Sequence, residues 1–170
     1  MNTILDSTSK QYSIEGNELT ISVKKAPILG RVLLYFITAL TSLGPIAGII
    51  SSLASGSGFH ISMFFGLVIS GLIAFFLLRS SLWNTFGKET IIFNKNELIY
   101  SADYGWFKDK IKSLPITTEL HFEVNPVGYE EDNKGTLIIF NSEDGFVCTA
   151  KVDVDELNRL IEELRIEFLG

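Results

Sequence analysis

Few residues in this chain are equipped for chemistry. Among its 170 residues Cys148 is the one cysteine, and His60 and His121 are the histidines. His121 stands two residues from both Glu119 and Glu123. In a strand that spacing puts all of them on one face, where they could hold a metal ion. An ordinary solvated strand face accounts for the same residues, and no metal or other cofactor is expected. Cys148 lies in an apolar run, the setting of a small core residue. With no Gly-rich phosphate loop, CxxC pair or nucleophile elbow in the chain, an enzyme is not expected. The remaining set is Lys108, Lys110 and Lys112, which alternate along one segment, with Tyr104 and Trp106 before them at the same spacing. Read as a strand, this segment projects its lysines from one face. Cations beside stackable rings suit a ligand carrying both phosphates and bases, or the anionic headgroups of a membrane. A basic outer face with both rings in the core is the structural alternative.

Charge narrows the partners. Residues 81–170 hold nine Lys and Arg against 17 Asp and Glu, a net of −8, within a chain whose net charge is −6. That balance argues against a nucleic-acid polymer. A single cysteine cannot make an internal disulfide, in keeping with a reducing compartment.

What must position these residues is dominated by Val32–Leu53 and Phe59–Leu78, uncharged apolar runs of 22 and 20 residues separated by five. A helix rises about 1.5 Å per residue, so roughly 20 residues cover the hydrocarbon core of a bilayer. The connector Ala54–Gly58 permits only a tight reversal. The spacing predicts a transmembrane helical hairpin in a lipid bilayer. Lys24, Lys25 and Arg31 precede the first span, Arg79 and Lys88 follow the second, and the connector is uncharged. Lys and Arg near span ends stay on the cytoplasmic side, so both termini are expected there. The patterned, polar segment 1–25 is not a cleaved signal. His60, at the outer boundary, is the only ionisable residue in either span, which argues against a transporter or pump.

The rest reads as mainly β. Gln11–Glu15 and Glu18–Lys24 form a hairpin about Gly16-Asn17. Thr90–Phe93, Leu98–Tyr104, Trp106–Lys112, Ile116–Val124, Thr136–Phe140 and Phe146–Ala150 follow as strands, with Asn125–Gly135 as a long mobile loop. Asp153 is a helix N-cap with Glu156 in capping-box position, and Leu157, Leu160, Ile161, Leu164 and Phe168 make one apolar stripe. A lone hairpin is marginal in water, so the first should join the sheet formed after the spans. Two strands before the spans and six after give about eight, enough for a small closed barrel or a strongly bent sheet plugged by the helix. The expected fold is an integral membrane protein: residues 1–27 as an N-terminal hairpin joining the cytoplasmic sheet, 28–80 as a transmembrane hairpin, and 81–170 as a cytoplasmic β domain with a C-terminal helix.

Small residues recur in both spans. Gly44 and Gly48 form a GxxxG with Ser52 four residues on, and Ser62, Gly66, Ser70 and Ala74 are each four apart. Such stripes let helix backbones approach closely in lipid. Either the two stripes pack within one hairpin, or one is left for a neighbouring copy in a homo-oligomer.

Two closely spaced spans fused to a small β domain resemble the membrane effectors of cyclic-nucleotide-based anti-phage defence systems. The resemblance implies a β-barrel that binds a cyclic dinucleotide or oligonucleotide, and spans that assemble to disrupt the bacterial inner membrane. Tyr104, Trp106, Lys108, Lys110 and Lys112, singled out above by their spacing, are the expected contacts of an anionic ligand of this kind. The segment Glu89–Tyr104 and the C-terminal helix also resemble bacterial membrane proteins with pleckstrin-homology-like domains. That alternative implies a non-enzymatic, membrane-tethered module that binds a protein partner or lipid headgroups.

Overall fold

Leu19 and Ile21 alternate with polar neighbours, and Leu98, Tyr100 and Ala102 are buried at every second position; a sheet with one buried face follows from that period of two. Strand β1 (Tyr12–Glu15) turns at Gly16, whose φ of 60° suits a two-residue hairpin, into β2 (Glu18–Ser22). After the apolar helices, β3 (Lys88–Phe93) pairs antiparallel with the whole of β2, Glu18 opposite Ile92 and Ser22 opposite Lys88. Strands β4 (Glu97–Asp103) and β5 (Lys108–Pro115) complete a five-stranded meander in chain order. A second, four-stranded sheet contains β6 (His121–Pro126), β7 (Lys134–Phe140), β8 (Gly145–Val147) and the short β9 (Val152–Asp153), which pairs with β7. These statements come from a computed structural model that describes residues 10–116 and 119–168.

The closed barrel is not formed. Pro115, which has no N–H to donate, ends β5, and among the described residues β5 and β6 do not pair, so the sheets remain separate. Helix α3 (Val154–Phe168) lays Leu157, Leu160, Ile161 and Leu164, all buried, against β6, β7 and β9. Its last ring, Phe168, stacks on Phe93 of the first sheet with centroids 4.0 Å apart. Both sheets and α3 thus share one core that includes Tyr100, Phe122, Leu137, Ile139 and Phe146.

Several expected details are revised. Asp153 caps α3, its carboxylate accepting the Asp155 N–H at 3.2 Å, but Glu156 does not close a capping box. Its carboxylate instead accepts the Gln11 N–H and ties α3 to the start of β1. The predicted long loop is much shorter than Asn125–Gly135, because Asn125 and Pro126 pair with Thr136 and Gly135, leaving a turn with a short 3-10 helix at Glu130–Asp132. Of the strand expected over Ile116–Val124, Thr117 and Thr118 lie outside the described residues.

The apolar runs form α1 (Ile28–Ala54) and α2 (Ile61–Phe86), an antiparallel pair in which Tyr35 donates to Thr85 at one end and Ser52 to the Gly58 carbonyl at the other. The second helix continues two turns past Leu78, since nothing before Gly87 interrupts it. Both are long and apolar enough to cross a membrane. Large apolar side chains stand exposed all along them, Leu29, Phe36, Leu43, Phe65 and Phe76 among them. The hydroxyls of Thr38, Thr41, Ser42, Ser70, Ser81 and Thr85 bond carbonyls of the preceding turn, so these polar groups are satisfied within their own helix. By its contacts the chain divides into two compact units, Lys25–Phe86 and the β unit built from the segments ending at Lys24 and beginning at Gly87.

Candidate binding surface on the β4–β5 hairpin

The hairpin that carries the expected ligand contacts is closed by local chemistry. Tyr104 donates its N–H to the Phe107 carbonyl at 2.9 Å, and Gly105 takes φ 86° at the first of the two turn positions. The Asp103 carboxylate accepts the Gly105 N–H at 2.7 Å and pairs with Lys88 at 3.6 Å. The two rings part company here. Tyr104 is buried and stacks on Phe107 with centroids 4.8 Å apart, whereas Trp106 at the tip is 74% exposed.

Nor do the lysines share one face. Lys108 lies opposite Asp103 and Lys112 opposite Tyr100, but the register slips between Tyr100 and Ala102. A bulge absorbs one extra residue there, with Lys110 in the left-handed region at φ 53°. Directly opposed residues point to the same side, so Lys108 joins the outer face with Asp103 and Lys112 the face of buried Tyr100. Lys110 reaches towards the second sheet, where its ammonium donates to the Thr149 hydroxyl at 3.1 Å. The expectation of a one-sided lysine row is therefore corrected by the bulge. Exposed Ile111, also in the bulge, adds apolar surface on this strand.

Glu89 is a residue whose role the sequence reading missed. It is fully buried in β3, and its carboxylate accepts the Tyr100 hydroxyl and the N–H groups of Thr149 (2.6 Å) and Ala150 (3.0 Å). One carboxylate therefore ties the first sheet to the segment between β8 and β9, and it accounts for the predicted strand Phe146–Ala150 stopping at Val147. Burial and the neighbouring Glu89 carboxylate push the Tyr100 hydroxyl well above its ordinary value of 10.0. Burial first, and Glu89 second, raise Cys148 as well, which keeps this core thiol protonated and a poor nucleophile. The signal was present in the sequence: Glu89 has the same parity as inward-facing Ile91 and Phe93.

Elsewhere the candidates disperse. His121 lies in a shallow cleft with Glu119, Glu123 and Arg165 and packs its ring against Phe140. Among the described residues no three His, Cys, Asp or Glu side chains gather as a metal site. On α1 and α2, Ala74 is buried and Ser52 and Ser70 are half-buried, whereas Gly44, Gly48, Ser62 and Gly66 are exposed. A Cβ at Gly44, Gly48 or Gly66 would meet nothing within 4 Å. No protein-family model, curated protein or solved structure matches this chain.

Proposed function

We propose that this chain is a two-pass protein of a bacterial inner membrane, both termini cytoplasmic, whose β unit is a non-enzymatic, membrane-tethered docking module of pleckstrin-homology-like design. The observation that carries it is the β2–β3 ladder. Residues 18–22, before the apolar helices, pair one to one with residues 88–92 after them. Such a ladder needs both flanks in one compartment, as a helix pair crossing a bilayer twice provides, and Lys24, Lys25, Arg31, Arg79 and Lys88 beside the spans support a cytoplasmic reading of that side. Docking on a surface is favoured over enclosing a small ligand because the lysines diverge and Tyr104 is stacked inside. A nucleotide held by both bases and phosphates needs a concave site.

The open glycine face of α1 and α2 favours a second reading. In it the chain is a ligand-responsive effector, its β unit sensing a cyclic dinucleotide and its spans assembling through Gly44, Gly48 and Gly66 to breach the membrane. Overexpression of the full chain separates the two. The docking reading expects an intact membrane potential and normal growth. Collapse of the potential that Gly48→Leu and Gly66→Leu each abolish would replace it with the effector reading.

A further inference from the structure

The strand register places the β4–β5 hairpin beside the points where the chain leaves the β unit. Ser22, Lys88, Asp103 and Lys108 are successive partners across four strands and form one row at one end of the sheet. The ladder continues one step further, Val23 donating to the Gly87 carbonyl at 2.9 Å. Counting outward from the row, Lys24 lies two residues beyond Ser22, and Trp106 is at the turn just beyond Asp103. The tip of the hairpin therefore reaches as far along the strand direction as the two connections to the apolar helices.

That end of the sheet has the composition of a membrane interface. Lys24, Lys88 and Lys108 lie there with Asp103 and Asp109, while the opposite end carries Glu15, Glu18 and Glu97 with Lys95 in the β3–β4 turn. Asp103, the acidic residue of the row, is engaged by Lys88. Trp106 stands 74% exposed at the tip of the turn. Its amphipathic ring suits the headgroup layer, where one edge is wet and the other apolar. Flanking lysines suit the negative surface of the cytoplasmic leaflet.

We propose that the β4–β5 hairpin is an interfacial anchor: Trp106 sits among the headgroups of the bilayer that α1 and α2 cross, and Lys108 engages anionic phosphates there. This rests on the membrane-spanning reading given above, and it names the surface that the docking module binds. The bilayer is preferred to a protein partner because the register brings the tip to the level of the helix connections.

The test uses the full chain reconstituted in vesicles of phosphatidylcholine, and of phosphatidylcholine with phosphatidylglycerol. Trp106 emission is taken as the difference between the wild type and Trp106→Phe, which removes the contribution of Trp83. The expected result is blue-shifted emission quenched by lipids brominated near the carbonyl end of their chains, more strongly in the anionic vesicles. Lys108→Gln should weaken docking about fivefold, the effect of one lysine near an anionic surface. Emission typical of water, quenched by aqueous iodide and unaffected by brominated lipid, would overturn the anchor. If the chain meanwhile resists alkaline extraction from the vesicles, only the anchor fails. Release of the chain by alkali would overturn the membrane-spanning reading and the anchor with it.

Discussion

Glu89→Ala is expected to unfold the β unit at moderate temperature. The substitution orphans the Tyr100 hydroxyl and the Ala150 N–H, both buried, together with the part-buried N–H of Thr149. Each unpaired buried donor costs about 1–3 kcal/mol, so the loss should reach at least about 3 kcal/mol. For a domain of this size that corresponds to a fall in Tm of roughly 12–24 °C, measured by circular dichroism of the β signal. Glu89→Gln keeps an acceptor oxygen and should fall between the two. Tyr100 provides a pH-dependent companion result. Its folded pKa is raised above the ordinary 10.0, so the folded chain holds that proton more tightly than the unfolded chain. Stability from this group is fully present below about pH 10 and is lost as pH rises towards the folded value. Tyr100→Phe should shallow the alkaline decline while lowering stability at neutral pH by about 1.5–3 kcal/mol, the worth of a hydrogen bond to a charged group. Cys148 and Tyr12 are shifted the same way, so the decline lessens without vanishing.

Leu160→Ala should be comparably severe. Leu160 is fully buried at the centre of the α3 stripe, between Leu157 and Leu164. Truncating such a side chain costs about 2–5 kcal/mol, the transfer term plus the cavity left behind. Ile166, on the same helix, is 78% exposed. Ile166→Ala should change stability by no more than about 0.5 kcal/mol. A similar loss from both variants would contradict the placement of α3 as the layer that covers the second sheet.

Legibility followed the range of the interactions involved. The α3 stripe, the Asp153 cap and the β1–β2 hairpin rest on neighbours a few residues apart, and their spacing in the chain is their spacing in space. The long apolar helices were equally plain, since length and absence of charge are properties of one segment. The bulge at Lys110 was not. Strict alternation predicted one lysine face, but a single extra residue in β5 reverses the facing of everything beyond it, and nothing local in Lys-Asp-Lys-Ile-Lys announces it. The barrel failed for a similar reason: strand number permits closure, but pairing of β5 with β6 depends on how the chain leaves Pro115. The Glu89 carboxylate reaches 60 residues along the chain to Thr149. A buried charge can be inferred from its parity, but its partners cannot be read from spacing at that separation.

The account stands on the helix pair crossing the membrane twice and returning both flanks to a single sheet. Cysteine accessibility in intact cells tests it directly, because native Cys148 is buried and contributes little background. Ser57→Cys, in the connector of α1 and α2, should react with a membrane-impermeant maleimide added from outside. Lys95→Cys, in the turn between β3 and β4, should react only after the cells are opened. Labelling of Lys95→Cys in intact cells, or recovery of the chain in the soluble fraction without detergent, would contradict it.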